Sequence, residues 1–466
     1  MSEVYIHVDL FSGCGGMMTG RVQALDELGI PHRGYAINHS PWAVATMRAN
    51  HPDVTTLEMD LMAAVPAKVV PQWRIDHLHA SPTCTHFSRA KGGRPRSEQL
   101  RSQPDIVFRW LDEHYVPSVS VENVPEFVDW GPLNSEGYPI ASKKGACFRA
   151  WIAGLEARNY IVSWRVVNCA DYGDATSRRR FFLKAVKRGS GKPNWPWPTH
   201  AENPQPDLFG HELKKWRGVR ECLDRSDTGK SIFNREKPLA ENTLRRIMVG
   251  LRKYNGLDFQ MDMLGSDKGD GSRVRPLSAP LPPQHAGGNR SAVVRPFIVK
   301  LRHNENAEDV DAPLSTVTTS GAHQMLCQPL ILDHCKNGEA KPPDAPMPAQ
   351  TTHDRFSMIT PLILDMSRPG GHDSGHIRPA SRPIQTLTTC DNVQGVFPVL
   401  EDGRVIDIRI RMLKPEELAA AHSFPADYNI TGNRSQKVRQ IGNSVPVRTA
   451  KAMALADLQG TKWSRR

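Results

Sequence analysis

The chain has 466 residues, 39% hydrophobic and 23% charged, and its 60 Lys and Arg outnumber 49 Asp and Glu for a net charge of +11. That composition excludes a disordered or collagen-like chain, and no apolar run approaches the length of a membrane-spanning helix. The positive excess suits a polyanionic partner, and the basic residues gather at Arg89–Arg101, Arg178–Lys192 and Lys214–Arg225, the clustering expected of a nucleic-acid surface. Met1-Ser2-Glu3-Val4 lacks the basic region and apolar core of a secretion signal, which points to a cytoplasmic protein. Eight cysteines are scattered without any Cys-x-x-Cys pair, which argues against a disulfide framework or a zinc ribbon. His323, Cys327, His334 and Cys335 fit no zinc spacing either, so no metal is expected.

In chain order, Val4–Leu10 alternates and is rich in β-branched residues, as a strand does. Phe11-Ser12-Gly13-Cys14-Gly15-Gly16 reads as a tight turn, and Met17–Leu28 has helical spacing of Val22, Leu25 and Leu28. Strand, glycine turn and helix open a doubly wound α/β sheet, whose ligands bind at the carboxyl edge. The G-x-G-G spacing is not the G-x-G-x-x-G of dinucleotide enzymes, and no phosphate-binding loop is present because Asp224 stands where its first Gly is required. Gly34–Asn38 is a second strand, Pro41–Asn50 a helix with Ser40 as its cap, and Asp60 closes another short segment. Ile75–Ala80 runs into Ser81-Pro82-Thr83-Cys84, where a stiff proline entry leads to a thiol and then a basic, Gly-rich loop. Val116–Val121 is a strand ending in Glu122-Asn123-Val124-Pro125, and Tyr160–Asn168 another, followed by Asp171-Tyr172-Gly173 and Arg178–Leu183.

Beyond Gly189 the texture changes. Trp195-Pro196-Trp197-Pro198 is linker-like and Leu239–Tyr254 reads as a basic helix. Four copies of a repeat follow, marked by Ala279-Pro280-Leu281, Ala312-Pro313-Leu314, Ala345-Pro346-Met347 and Arg382-Pro383-Ile384. Each is followed by a short β-type run: 296–299, 329–332, 361–364 and 396–399. Self-similar units of this length stack into a shared core, and short strands between Pro and Gly make that core β-rich. Helical texture returns at Pro415–His422, before Gln440–Pro446 and a final helix. The expected division is one unit over 1–189 completed by 436–466, and a second over 190–435 with its repeats at 276–400.

Six blocks in this order resemble the DNA (cytosine-5)-methyltransferase family: Asp9–Gly16, Ser81–Cys84 with Phe87-Ser88, Glu122-Asn123-Val124, Asp171-Tyr172-Gly173 through Arg178 and Arg180, Arg411 through Phe424-Pro425, and Gln440–Pro446. The resemblance implies a Rossmann-like methyltransferase sheet that binds S-adenosylmethionine, with 190–435 as a β-rich target-recognition domain. It implies Cys84 as the nucleophile on C6 of a flipped-out cytosine in duplex DNA, Glu122 as the acid at the ring's edge, and Arg178 and Arg180 on the base. These residue types suit the chemistry, since a thiolate is a strong nucleophile that can later leave. By the same resemblance Phe11, Gly13, Cys14, Gly15, Gly16, Asn38, Asp60, Asn443 and Ser444 would line the cofactor site, and the loop carrying Ser88, Arg89, Lys91 and Arg94 would close on DNA. Three positions depart from the pattern: Asn38 stands where an acid for the ribose is usual, Thr83 replaces a Pro, and Thr176 replaces a Gln. A monomer in a restriction–modification or phage-protection system is expected. The rival readings are an RNA methyltransferase acting on tRNA and a non-catalytic DNA-binding protein.

Overall fold

The strand β1 (Tyr5–Leu10) is buried along its whole length, with Ile6, Val8 and Leu10 on one face and Tyr5, His7 and Asp9 on the other. It is the third strand of a seven-stranded sheet in a computed structural model that describes residues 4–82, 103–206, 212–224, 273–282 and 408–461, with short stretches between 226 and 398. The other strands are β2 (His32–Asn38), β3 (Thr55–Glu58), β4 (His77–Ala80), β5 (Ser118–Asn123), β6 (Tyr160–Asn168) and β7 (Arg179–Lys187). Their order is β3-β2-β1-β4-β5-β7-β6. The first five are parallel, and β7 runs antiparallel between β5 and β6. The order reverses between β1 and β4, which opens a crevice at their carboxyl ends. β5 is shifted two residues towards the C-terminus of the expected Val116–Val121: pairing of Glu122 with Phe182 and of Asn123 with Phe181 carries the ladder through both polar residues.

The helices of this unit are α1 (Gly16–Glu27), α2 (Pro41–Asn50), α3 (Pro66–Val69), α4 (Ile106–Glu113), α5 (Ala146–Ala157), α6 (Pro415–Ala421), α7 (Arg434–Asn443) and α8 (Val447–Gly460). One sheet face is apolar: Ile6, Val8, Leu10, Leu78, Ala80, Val119 and Val121 share a core with Val107 and Trp110 of α4 and with Phe148 and Trp151 of α5. The opposite face lies under α1 and α8, where Ala24 and Leu25 pack with Ala454 and Leu458. Ser40 occupies the N-cap position of α2 without a side-chain capping bond. Instead Asn38 Oδ1 accepts from the Ser40 backbone N–H at 2.9 Å, and Pro41 begins the helix.

Contacts divide the chain into two compact units. The first comprises 1–223, 278–289 and 414–466, and so reaches past residue 189 and resumes ahead of 436; the second comprises 224–277 and 290–413. In the second, Ser291–Ile298 lies between Ile408–Met412 and Phe259–Asp262 in an antiparallel sheet of six strands. Smaller antiparallel sheets pair Ile331–Asp333 with Phe356–Met358, and Pro361–Asp365 with both Ile377–Pro379 and Gln394–Pro398. The described parts of the four β-type runs, 296–298, 331–332, 361–364 and 396–398, lie on strands. Of the repeat's Pro-containing marks, Ala279-Pro280-Leu281 is described and belongs to the first unit, where Leu281 pairs with Thr176. The helix expected over 239–254 lies almost wholly outside the described residues.

Candidate active site

The carboxyl ends of β1, β4, β5 and the start of β7 bring four sequence blocks to one place. β1 delivers Asp9, 4% exposed, and neither carboxylate oxygen meets a hydrogen-bond partner among the described residues. Burial pushes its carboxyl up to about 8, against the attraction of Arg21 and with the help of Glu122. The chain then turns through Phe11, which adopts a left-handed φ of 60°, a conformation that non-glycine residues hold under strain and most often at functional sites. A Cβ added to Gly13 would meet nothing nearer than the Phe11 carbonyl at 4.0 Å, so the backbone faces open room there. Gly16 is required for a different reason: a Cβ would run into the carbonyl of Val445.

β5 delivers Glu122 and Asn123. Glu122 is buried, and Arg180 Nε sits 3.0 Å from its Oε1. Burial raises the Glu122 carboxyl above its ordinary value, opposed by Arg180, Arg178 and a hydrogen bond with Ser81. Arg178 is 2% exposed, just ahead of β7. Asn123 Nδ2 donates to the Pro82 carbonyl at 3.0 Å, while its Oδ1 accepts from the Val124 N–H at 2.9 Å. The strand that carries the acid thus holds the entrance of the loop two residues ahead of Cys84. Cys84 itself, with Ser88, Arg89, Lys91 and Arg94, lies outside the described residues.

The distant C-terminal block is tied in from beneath. Asp174 accepts from Thr449 Oγ1 at 2.6 Å, Thr449 N at 3.0 Å and Arg448 N at 3.3 Å, an anion at the N-terminus of α8. Burial still lifts its carboxyl to about 6. Tyr428 donates its hydroxyl to the Cys14 carbonyl at 2.7 Å, which pins the glycine turn.

The remaining residues expected at the cofactor site have the following surroundings. The Cys14 thiol is buried against the Gln440 carbonyl at 3.4 Å and pushed up to about 12 by burial, so this residue can face a ligand only through its backbone. Ser444 Oγ donates to the Ile441 carbonyl at 2.8 Å, with His422 Nδ1 at 3.2 Å, while Asn443 is exposed at the end of α7. Asp60 is exposed, and its Oδ1 accepts from Met62 N at 2.9 Å. Asn38 is buried, with its carbonyl oxygen held by Ser40.

The polar face of the sheet carries residues the sequence reading passed over. His77 and His79 of β4 stand opposite Ser118 and Ser120 of β5, and below them Asp457 of α8 receives Arg21 at 2.6 Å and Lys184 at 2.7 Å. The signal was the period-2 alternation of His-Leu-His-Ala beside Ser-Val-Ser-Val, which reads as two polar half-faces meeting. Among the described residues no cluster of His, Cys, Asp and Glu is placed to hold a metal, and no helix is long and apolar enough to cross a membrane.

The sequence model of C-5 cytosine-specific DNA methylase matches residues 5–456. The chain is 30% identical to the Type II methyltransferase M.AquIA of Picosynechococcus sp. over 46% of its own length and 86% of that protein. It is 28% identical to the Type II methyltransferase M.AgeI of Thalassovita gelatinovora over 52% of its length and 57% of that protein, so it spans little more than half of this second relative. A putative DNA modification methyltransferase from an E. coli prophage aligns over 98% of the chain at 14% identity and a TM-score of 0.48, too distant to bear on function. With a match running from β1 into α8, the chain belongs to the C-5 cytosine-specific DNA methylase family.

Proposed function

We propose that this chain methylates C5 of cytosine in duplex DNA, working on a base flipped into the crevice at the carboxyl edge of the sheet. The observation that carries the reading is the buried pair of Glu122 on β5 with Arg180 on β7, beside Asn123 of β5, which holds Pro82 two residues before Cys84. Cytosine C5 is a poor nucleophile. Addition of the Cys84 thiolate to C6, with a proton from Glu122 to N3, makes C5 an enamine carbon. Arg180 and Arg178 hold the ring carbonyl and the charge that develops there. Loss of the C5 hydrogen to a base, with expulsion of the thiolate and return of the N3 proton to Glu122, restores the neutral aromatic ring.

The cofactor the family implies, S-adenosylmethionine, fits the residues present. The unpartnered carboxylate of Asp9 suits the ammonium of a methionine portion, and the open room at Gly13 suits close approach of a ligand. Phe11 would pack on the adenine, with the backbone of Cys14, Gly15 and Gly16 as the floor and Asn38, Asp60, Asn443 and Ser444 around the rim. When bound, this group supplies the methyl that C5 takes up. Residues 190–435 would read the neighbouring bases, and Ser88, Arg89, Lys91 and Arg94 would close over the flipped base. A role in restriction–modification or phage protection follows from the same reading.

Methyl transfer from tritiated S-adenosylmethionine tests it. Label should enter duplex DNA and not tRNA, and duplex containing 5-fluorocytosine should form a denaturant-stable adduct that Cys84→Ser abolishes. Glu122→Gln should slow transfer by about 10²–10⁴-fold without loss of the folded state. Label confined to tRNA, or no adduct with the wild-type chain, would sink the proposal.

A further inference from the structure

Basic residues from two distant stretches meet at the carboxyl edge of the sheet. β6 reaches that edge at Asn168, opposite Arg179 at the start of β7, and the short helical turn Cys169–Tyr172 follows, closed by Gly173. Thr199 N donates to the Asp171 carbonyl at 2.9 Å, and Lys214 N donates to the Thr199 carbonyl at 3.0 Å. His200–Ala201 thereby pairs in parallel with Lys214–Lys215 beside the turn. The His200 ring covers Gly173, since its Cε1 would lie 2.7 Å from a Cβ placed there.

Two guanidinium groups converge on this turn. The Gly173 carbonyl accepts from Arg217 Nη1 at 3.2 Å and from Nη1 of Arg448, in the first turn of α8, at 3.3 Å. Lys214 stands opposite His200 in the ladder. Burial and the charges of Lys214, Arg448 and Arg217 lower His200 below its ordinary range, so the ring adds no charge of its own. The carboxylates nearby are committed. Glu221 Oε2 accepts from Arg217 Nη2 at 2.8 Å, Asp171 Oδ1 accepts from Trp216 Nε1 at 3.0 Å, and Asp174 is turned to Thr449. Lys214 and Arg448 are exposed and meet no carboxylate at ion-pair distance among the described residues.

Like charges gathered this way repel, and an anion among them turns the repulsion into attraction. Guanidinium and ammonium groups are the side chains that hold phosphate oxygens, and a nucleic-acid backbone presents phosphates along its length. We propose that Lys214, Arg217 and Arg448, around the Gly173 carbonyl, form a seat for one backbone phosphate of the substrate duplex. The seat lies at the same edge of the sheet as Glu122 and Arg180. It fixes the position of the duplex without reading sequence, because phosphates carry no base identity. The inference rests on duplex DNA being the substrate.

Binding of fluorescently labelled duplex DNA by the full chain, followed by anisotropy across a salt series, tests the seat. A double variant carrying Lys214→Gln and Arg448→Gln leaves only Arg217, already paired with Glu221. It should flatten the slope of log K against log salt by about 0.9, the share of one phosphate, and equally on duplexes of unrelated sequence. Arg188→Gln removes an exposed charge just beyond β7, where the Arg188 N–H donates to Asn159 at the opposite edge of the sheet. It should leave the slope at the wild-type value. Lys214→Arg with Arg448→Lys keeps both charges and should keep the slope, which separates a lost contact from a lost fold. A wild-type slope in the double Gln variant, or an equal flattening in Arg188→Gln, overturns the seat. The expected slopes in a chain that transfers no methyl would defeat the catalytic reading and leave the seat standing. Methyl transfer by the wild type, with an unaltered slope in the double variant, would defeat the seat alone.

Discussion

The two faces of the central sheet are built on opposite principles. On one, Leu78, Ala80, Val119 and Val121 pack against apolar helices. On the other, the neighbouring positions His77, His79, Ser118 and Ser120 are just as buried but are hydrogen-bonded to one another and reach an ion cluster of Arg21, Asp457 and Lys184. A polar interior is not the more stable filling, because replacing buried ion pairs by apolar side chains of similar volume is often neutral or stabilising. The polar face continues at its carboxyl end into Glu122 and Asp9, which are buried on the same side of the sheet. The lesson of the contrast is that one face is held by apolar packing while the other is held by directional hydrogen bonds and an ion cluster that must be satisfied together.

Breaking the ion cluster should have the largest effect on stability. Asp457→Ala leaves Arg21 and Lys184 buried without their carboxylate, at a cost of about 3–5 kcal/mol, read by chemical denaturation. Lys184→Met should cost markedly less, since Arg21 keeps Asp457 compensated. On the apolar face, Leu78→Ala should cost about 3 kcal/mol through lost burial and a residual cavity, equally at low and high pH because no proton is linked to it.

A further effect sharpens the contrast by its pH dependence. The Asp9 carboxyl stands at about 8 in the fold against 3.8 ordinarily. The folded chain therefore holds a proton that the unfolded chain releases, and this contribution to stability fades as pH rises from about 4 to about 8. Asp9→Asn removes the dependence. Its melting temperature relative to wild type, without cofactor, should be higher at pH 8 than at pH 5 by a few degrees. An equal difference at both values would mean that Asp9 ionises normally.

Much of the scaffold was legible because local rules and tertiary packing agreed. The strands over Val4–Leu10 and Tyr160–Asn168 were readable from their β-branched and aromatic content, and the turn between β1 and α1 from its glycines, because local preference and the final fold coincide there. Glu122 and Arg180 were marked by their motifs, and the structure brings them together. The polar face was not read, because a histidine or serine in a strand looks the same whether its neighbour is water or another polar side chain. Cys14 shows the converse: the motif marked the residue, but the thiol's direction depends on Gln440, 426 positions away.

The amino-acid sequence by itself determined the family, the alternating strands and the reacting residue types, since these depend on local order and short-range periodicity. Only the tertiary structure decided which polar groups face one another. A hydrogen bond's direction and a carboxyl's proton depend on burial and on partners from β4, β5, α1 and α8, which meet only after the chain has folded.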